Sequence, residues 1–254
     1  MSTHLPTHSL THSPKGVNGE NVMNIKEIFL NSVMFLTIAA SASSEMWYSQ
    51  TFDDLRDGLL AGQDEWTGAA TVQDKFFHGE SGLSINVTGE ISRGLPDHED
   101  VQYVSFYFMV TEQASMDWKL YMGNAARTQA AAMGLNPDNE TLHIHGGDEQ
   151  MPVDIEPGEW YQLGAVLDFN TKTWKFYFND MENPFREGKT FRDAGADALA
   201  NIWLTIWTVP SAGGLYVDDV MIGDGDVIPT SLGPTHGLDP ASKLAASWGK
   251  IKAR

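Results

Sequence analysis

"EWYQLGAVLDFNTKTWKFYFND", residues 159–180, decides the fold class. It holds two runs rich in β-branched and aromatic residues, 159–169 and 173–180, bounded by Gly, Asn and Asp. Their period is two, not the 3.6 of a helix, so they read as strands. The same signature recurs in "VQYVSFYFMV" (101–110), "NIWLTIWTV" (201–209) and "LYVDDVMIG" (215–223). "GLSINVTG" (82–89) and "TLHIHG" (141–146) add shorter strands. Many short strands bounded by Gly, Pro, Asn and Asp, with little helical pattern, predict an all-β, two-sheet antiparallel sandwich. "NAARTQAAAMGL" (124–135) is the ambiguous stretch, because its alanines also suit a short helix within a long loop.

Working outward, the chain of 254 residues holds 42% hydrophobic residues, 24 Gly and 11 Pro. That suits one β domain with many turns plus terminal segments. There is no cysteine, which excludes disulfides, thiol nucleophiles and thiolate metal sites. A net charge of −18 argues against nucleic acid as a partner and supplies oxygen ligands of the kind calcium takes, although a solvated acidic surface alone explains it equally.

Residues 1–22 are polar and without apolar periodicity, and read as a disordered or non-native leader. Met23 opens a secretory signal peptide: Lys26 is its basic residue, 28–39 its apolar core, and Ala40-Ser41-Ala42 its cleavage site. The apolar run is too short to span a bilayer, and no later segment is long enough, so a secreted or cell-surface protein cut near Ala42 is expected. The sandwich then occupies 43–225 and a linker 226–238. A basic amphipathic helix is expected over 239–254, with Asp239 and Pro240 at its start and Leu244, Trp248 and Ile251 along one face. This tail carries four basic residues against one acid, leaving −21 for the rest of the chain. It reads either as a docking element for a protein partner or an export determinant, or as a helix packed on its own domain.

Three stretches together resemble a family. "TFDDLRDGLLAGQDEW" (51–66), the hairpin 158–180 and "GGLYVDDVMIG" (213–223) are similar to the opening, centre and close of concanavalin A-like, laminin-G-like jelly-roll domains secreted by environmental bacteria. The resemblance covers about 47–223 and implies architecture more than activity, since the fold hosts lectins, glucanases, lyases and adhesion modules. It implies that the first and last strands lie side by side. It also implies a structural Ca²⁺ held by Asp53 and Asp218, with Asp219 as a substitute and backbone carbonyls near "LRDG" and "VQDKFFHG" completing the shell. The alternative is that these acids accept backbone N–H groups and hold no ion.

Candidate chemistry is sparse. The Glu-x-Asp-x-x-Glu spacing of laminarinase-type hydrolases on this fold is absent, and Asp154 and Glu156 lie between Pro152 and Pro157 in what reads as a loop. His143 and His145 project to one face of a strand; with Asp148 or Glu149 they suit a transition metal, or without one they serve as polar contacts to a ligand. No nucleophile elbow or phosphate cradle occurs. The 8 Trp, 7 Tyr and 12 Phe remain, and sugar rings stack on such surfaces. Trp118, Tyr121, Trp203 and Trp207 are the candidates for a concave platform, each with a core-filling reading beside it. The expectation is an exported, non-catalytic glycan-binding domain, with a hydrolase or lyase, or a protein-binding adhesion module, as the alternatives.

Overall fold

The computed structural model describes residues 44–79, 82–111, 116–136, 141–145, 149–208 and 213–230, with His145 placed by its backbone alone. Its strands in chain order are β1 (Glu45–Gln50), β2 (Gly58–Leu59), β3 (Trp66–Gln73), β4 (Ser84–His98), β5 (Val101–Val110), β6 (Asp117–Gly123) and β7 (Gln129–Asn136). They continue as β8 (Thr141–His145), β9 (Glu149–Pro152), β10 (Trp160–Asp168), β11 (Thr173–Phe178), β12 (Arg186–Thr190), β13 (Leu199–Thr208) and β14 (Leu215–Asp224). All pair antiparallel, in the order β12-β11-β10-β5-β14-β4-β13-β6-β7-β8-β9, with β1 on β14 and β3 on β4.

This ladder curls into a sandwich. Phe108 on β5 and Trp118 on β6 are separated by three strands in the order, yet their rings meet edge to face at 5.0 Å. Only two wings folded face to face allow that contact. Strand alternation supplies the interior: Val104, Phe106 and Phe108 from β5 point inward, as do Ile202, Leu204 and Ile206 from β13. The long β4 serves both wings, pairing β14 through Ile85–Val87 and β13 through residues 91–98.

The 159–180 hairpin forms as its pattern dictates, with Leu163 opposite Phe178 and Asp168 opposite Thr173. The Asp168 carboxylate accepts the N–H groups of Asn170 and Thr171 at 2.9 and 3.1 Å, closing the turn. The alanine-rich stretch is where helix propensity loses. Residues 124–128 make a turn, with Arg127 at φ 62°, and 129–136 form β7. Ala131, Met133 and Leu135 alternate into the core while small residues between them face away, so pairing on both sides of β7 outweighs the preference of alanine for helix. First and last strands do lie together, from Glu45 opposite Asp224 to Gln50 opposite Val220. The expected signal peptide, the leader and the C-terminal helix fall outside the described residues, and no described helix is long and apolar enough to cross a membrane.

Candidate functional site

Each wing has an outer face, and the residues singled out by sequence divide between the two. On the first wing, β14 breaks its alternation after Asp218: Val217 and Val220 both enter the core, and the register against β5 shifts between Asp218 and Met221. Asp219 takes φ 48° at this bulge, an arrangement that re-aims side chains next to a site. The Asp218 carboxylate, 2% exposed, accepts the N–H of His78 at 2.9 Å and that of Asp219 at 2.8 Å. Burial, then the neighbouring Asp219 charge, and more weakly Asp53, push its pKa up to about 8 against these two hydrogen bonds. Asp53 accepts the N–H of Leu83 at 2.8 Å, and Asp219 meets Nδ1 of His78 at 2.8 Å.

His78 is the residue that sequence reasoning missed. It lies 140 positions from Asp218 and carries no motif; the only signal was the turn "VQDKFFHG" in which it sits. Its imidazole stacks on Tyr107 at 3.6 Å and 18°, with Trp160 edge-on at 6.0 Å, while Phe76 from the same loop packs on Tyr216. The loop 74–79 is thereby strapped over the outer face of β14 and β5.

Asp218 and Asp219 sit side by side at the bulge, Asp53 adds only the weakest of the charges felt by Asp218, and the backbone N–H bonds of the ion-free reading are present. Among the described residues no three His, Asp or Glu side chains gather to hold a metal by themselves. A hard cation here would have Asp218 and Asp219 as its carboxylates and would need backbone oxygens to complete its coordination.

On the second wing, Trp118 corrects the expected platform. It is 0% exposed and lies between Phe106 and Phe108, because even-numbered positions of β6 face the core. Lys119 and Tyr121 alternate to the outer face. The register then lines up two rows across the strands: Thr205, Lys119, Gly134, His143 and Gln150 in one, and Ser92, Trp203, Tyr121, Ala132 and the His145 position in the other. Tyr121 and Trp203 stack on each other at 5.3 Å and 14°, and only 7% and 5% of them is exposed. The guanidinium of Arg127 lies 5.4 Å from the Trp203 ring and is held there by Glu90 and Ser92 at 2.7 and 2.9 Å. Lys119 pairs with Asp117 at 2.6 Å. Trp207, at the bulge that ends the β13–β6 pairing, is 65% exposed. Tyr121, His143, Trp203 and Trp207 thus lie on the outer face, and Arg127, which the sequence did not single out, reaches Trp203 through its left-handed turn. Asp154 and Glu156 lie in a loop.

No protein-family model matches the sequence, and no curated protein matches it at a significant level. Solved structures do share its architecture. A carbohydrate esterase from the Shiga toxin-encoding bacteriophage phi24B superposes with a TM-score of 0.52 at 12% identity, over 71% of this chain and 98% of that one. A sialidase superposes with a TM-score of 0.50 at 15% identity, over 64% of this chain and 17% of that one. This chain therefore spans less than a fifth of the sialidase it matches. At such identities the likeness is one of fold.

Proposed function

We propose that this chain is an exported, non-catalytic carbohydrate-binding module that uses the outer face of β13, β6, β7 and β8, with a calcium ion bound structurally at Asp53 and Asp218. The observation that carries the reading is the outer-face array. An exposed indole at Trp207 stands on the same strand as the Trp203–Tyr121 stack, beside a polar row with Lys119 and His143. Because Trp203 and Tyr121 cover each other, Trp207 offers the stacking surface, and the polar row supplies hydrogen bonds to hydroxyls. Two structural neighbours named as a carbohydrate esterase and a sialidase support a glycan as the ligand class.

A buried acid with a raised pKa next to other carboxylates is also what a glycosidase needs, and Asp218 is such an acid. Its access argues for structure instead. It is almost fully buried, and both oxygens accept backbone N–H groups, which supports a structural part for it. A divalent ion there would neutralise the crowded carboxylates and tie the close of β14 to the segment after β1.

The test is thermal melting of the full chain in calcium and in a chelator, repeated against a panel of soluble polysaccharides that are also assayed for cleavage. A melt lowered by chelation and raised by one glycan, without products, is expected. Reducing-end or unsaturated products would replace this reading with an enzyme, and indifference to every glycan would end it.

A further inference from the structure

The outer face of the first wing continues past β14. Ile228 packs onto Tyr177 and Met181, and a methyl group placed on Gly164 would sit 2.6 Å from the Ile228 side chain. Beside this anchor lies an open depression of about 440 Å³, bounded by Tyr177, Met181, Glu182, Asp226, Val227 and Ile228, and ending at Thr230, the last described residue. Val227 is 56% exposed there. The surroundings are acidic: the Tyr177 hydroxyl is held above its ordinary value by burial and then by the charges of Glu187 and Asp226.

The chain that continues from this depression has the complementary character. Residues 231–238 form a spacer that extends to at most about 29 Å, enough to let the following segment turn back. Residues 239–254 carry four basic side chains against one acid, and Leu244, Trp248 and Ile251 at helical spacing give an apolar stripe about 10 Å long if the segment is helical. A short tether makes such an encounter intramolecular and raises its effective concentration to about the millimolar range.

We infer that the basic segment 239–254 docks on its own domain in the depression beside Thr230, with its apolar stripe against the exposed Val227 and its lysines toward Glu182, Asp226 and Glu187. The contact is a salt-sensitive latch of the tail onto its own domain. It is independent of glycan binding on the opposite wing.

The absence of cysteine from the chain makes the test clean. A nitroxide is attached to the full chain at Val227→Cys or, on the other wing, at Thr205→Cys, and the amide resonances of 239–254 are followed. Strong broadening from position 227 and none from 205 is expected. Broadening should vanish in K243E/K250E/K252E and at about 1 M salt, where screening is nearly complete. Sharp tail resonances with both labels, or broadening from 205 instead, overturns the latch. Broadening that persists only between separately labelled molecules overturns it in favour of self-association, and capture of the tail by anionic vesicles with no loss of signal at 227 overturns it in favour of a membrane surface.

Discussion

The two outer faces are built from the same alternation and finished differently. The face of β14, β5 and β10 is closed by the protein's own chain: Phe76 and His78 lie over Tyr216 and Tyr107, and Ile228 lies over Tyr177 and Met181. On the face of β13, β6 and β7, strand residues cover one another, with Arg127, Trp203 and Tyr121 in sequence across the strands and Trp207 left open. A bulge at Asp218 makes the first arrangement, because it turns acids outward where a loop must be fastened. Regular pairing makes the second, because it repeats side chains in rows. The difference separates residues that hold the fold from residues available to a ligand.

The sharpest way to break this distinction is to exchange the fates of two tryptophans. Trp118→Ala removes a fully buried ring from between Phe106 and Phe108 and is expected to cost about 3–5 kcal/mol. Denaturant unfolding measures it. If Trp118→Ala left stability intact and abolished glycan binding, the assignment of inner and outer faces on β6 would be wrong.

The next effect belongs to the strapped face. Asp218 has a folded pKa near 8 against an ordinary value of 3.8, so the folded state holds its proton more tightly than the unfolded state does. The unfolded chain binds fewer protons across that window. Stability in chelator is therefore fullest below about pH 4 and is lost as pH rises toward about 8, by an amount on the order of a few kcal/mol. Calcium should flatten the loss, and Asp218→Asn should abolish both the slope and the calcium response. Melting curves from pH 4 to 9 decide it; a slope of the opposite sign would remove Asp218 as its source.

These two cases also mark what could be read in advance. Strand positions were legible because period two survives in nearly every strand, from 101–110 to 215–223. The pairing of β1 with β14 was legible through the family resemblance. Which face of β6 turns inward was not, since "DWKLYMG" has apolar residues at both parities and only the partner strands choose. Nor was β7, whose alanines satisfy two local preferences. His78 and Arg127 were invisible for a different reason: each reaches its site through a loop conformation and partners far away in sequence.

Smaller in stability, but decisive for function, is Trp207→Ala. An indole that is mostly in water contributes within about 0.5 kcal/mol to folding. As a stacking surface it contributes about 0.5–1.5 kcal/mol to binding, a few-fold to roughly tenfold in affinity. Calorimetry with the glycan found by the panel checks this, and unchanged affinity would move the ligand off this face.

The smallest expected effect tests whether the two wings need anything besides their core to stay closed. Glu149 on β9 pairs with Arg186 at 2.6 Å and with Lys189, both on β12, and these are the two end strands of the whole ladder. No backbone bonds join those edges in the described pairing, so the carboxylate spans a seam that a closed barrel would fill with hydrogen bonds. Hydrogen bonds from Arg186 and Lys189 hold its pKa below the usual range, so its contribution is present above that range and is lost as pH falls through the depressed value. Being partly exposed and screened, the contact is expected to contribute no more than about 1 kcal/mol, less in salt. Glu149→Gln should lower the unfolding midpoint slightly at neutral pH and not at all in strong salt. A loss of several kcal/mol that salt does not diminish would mean that the seam, and not the packing of Phe108 against Trp118, holds the two wings together.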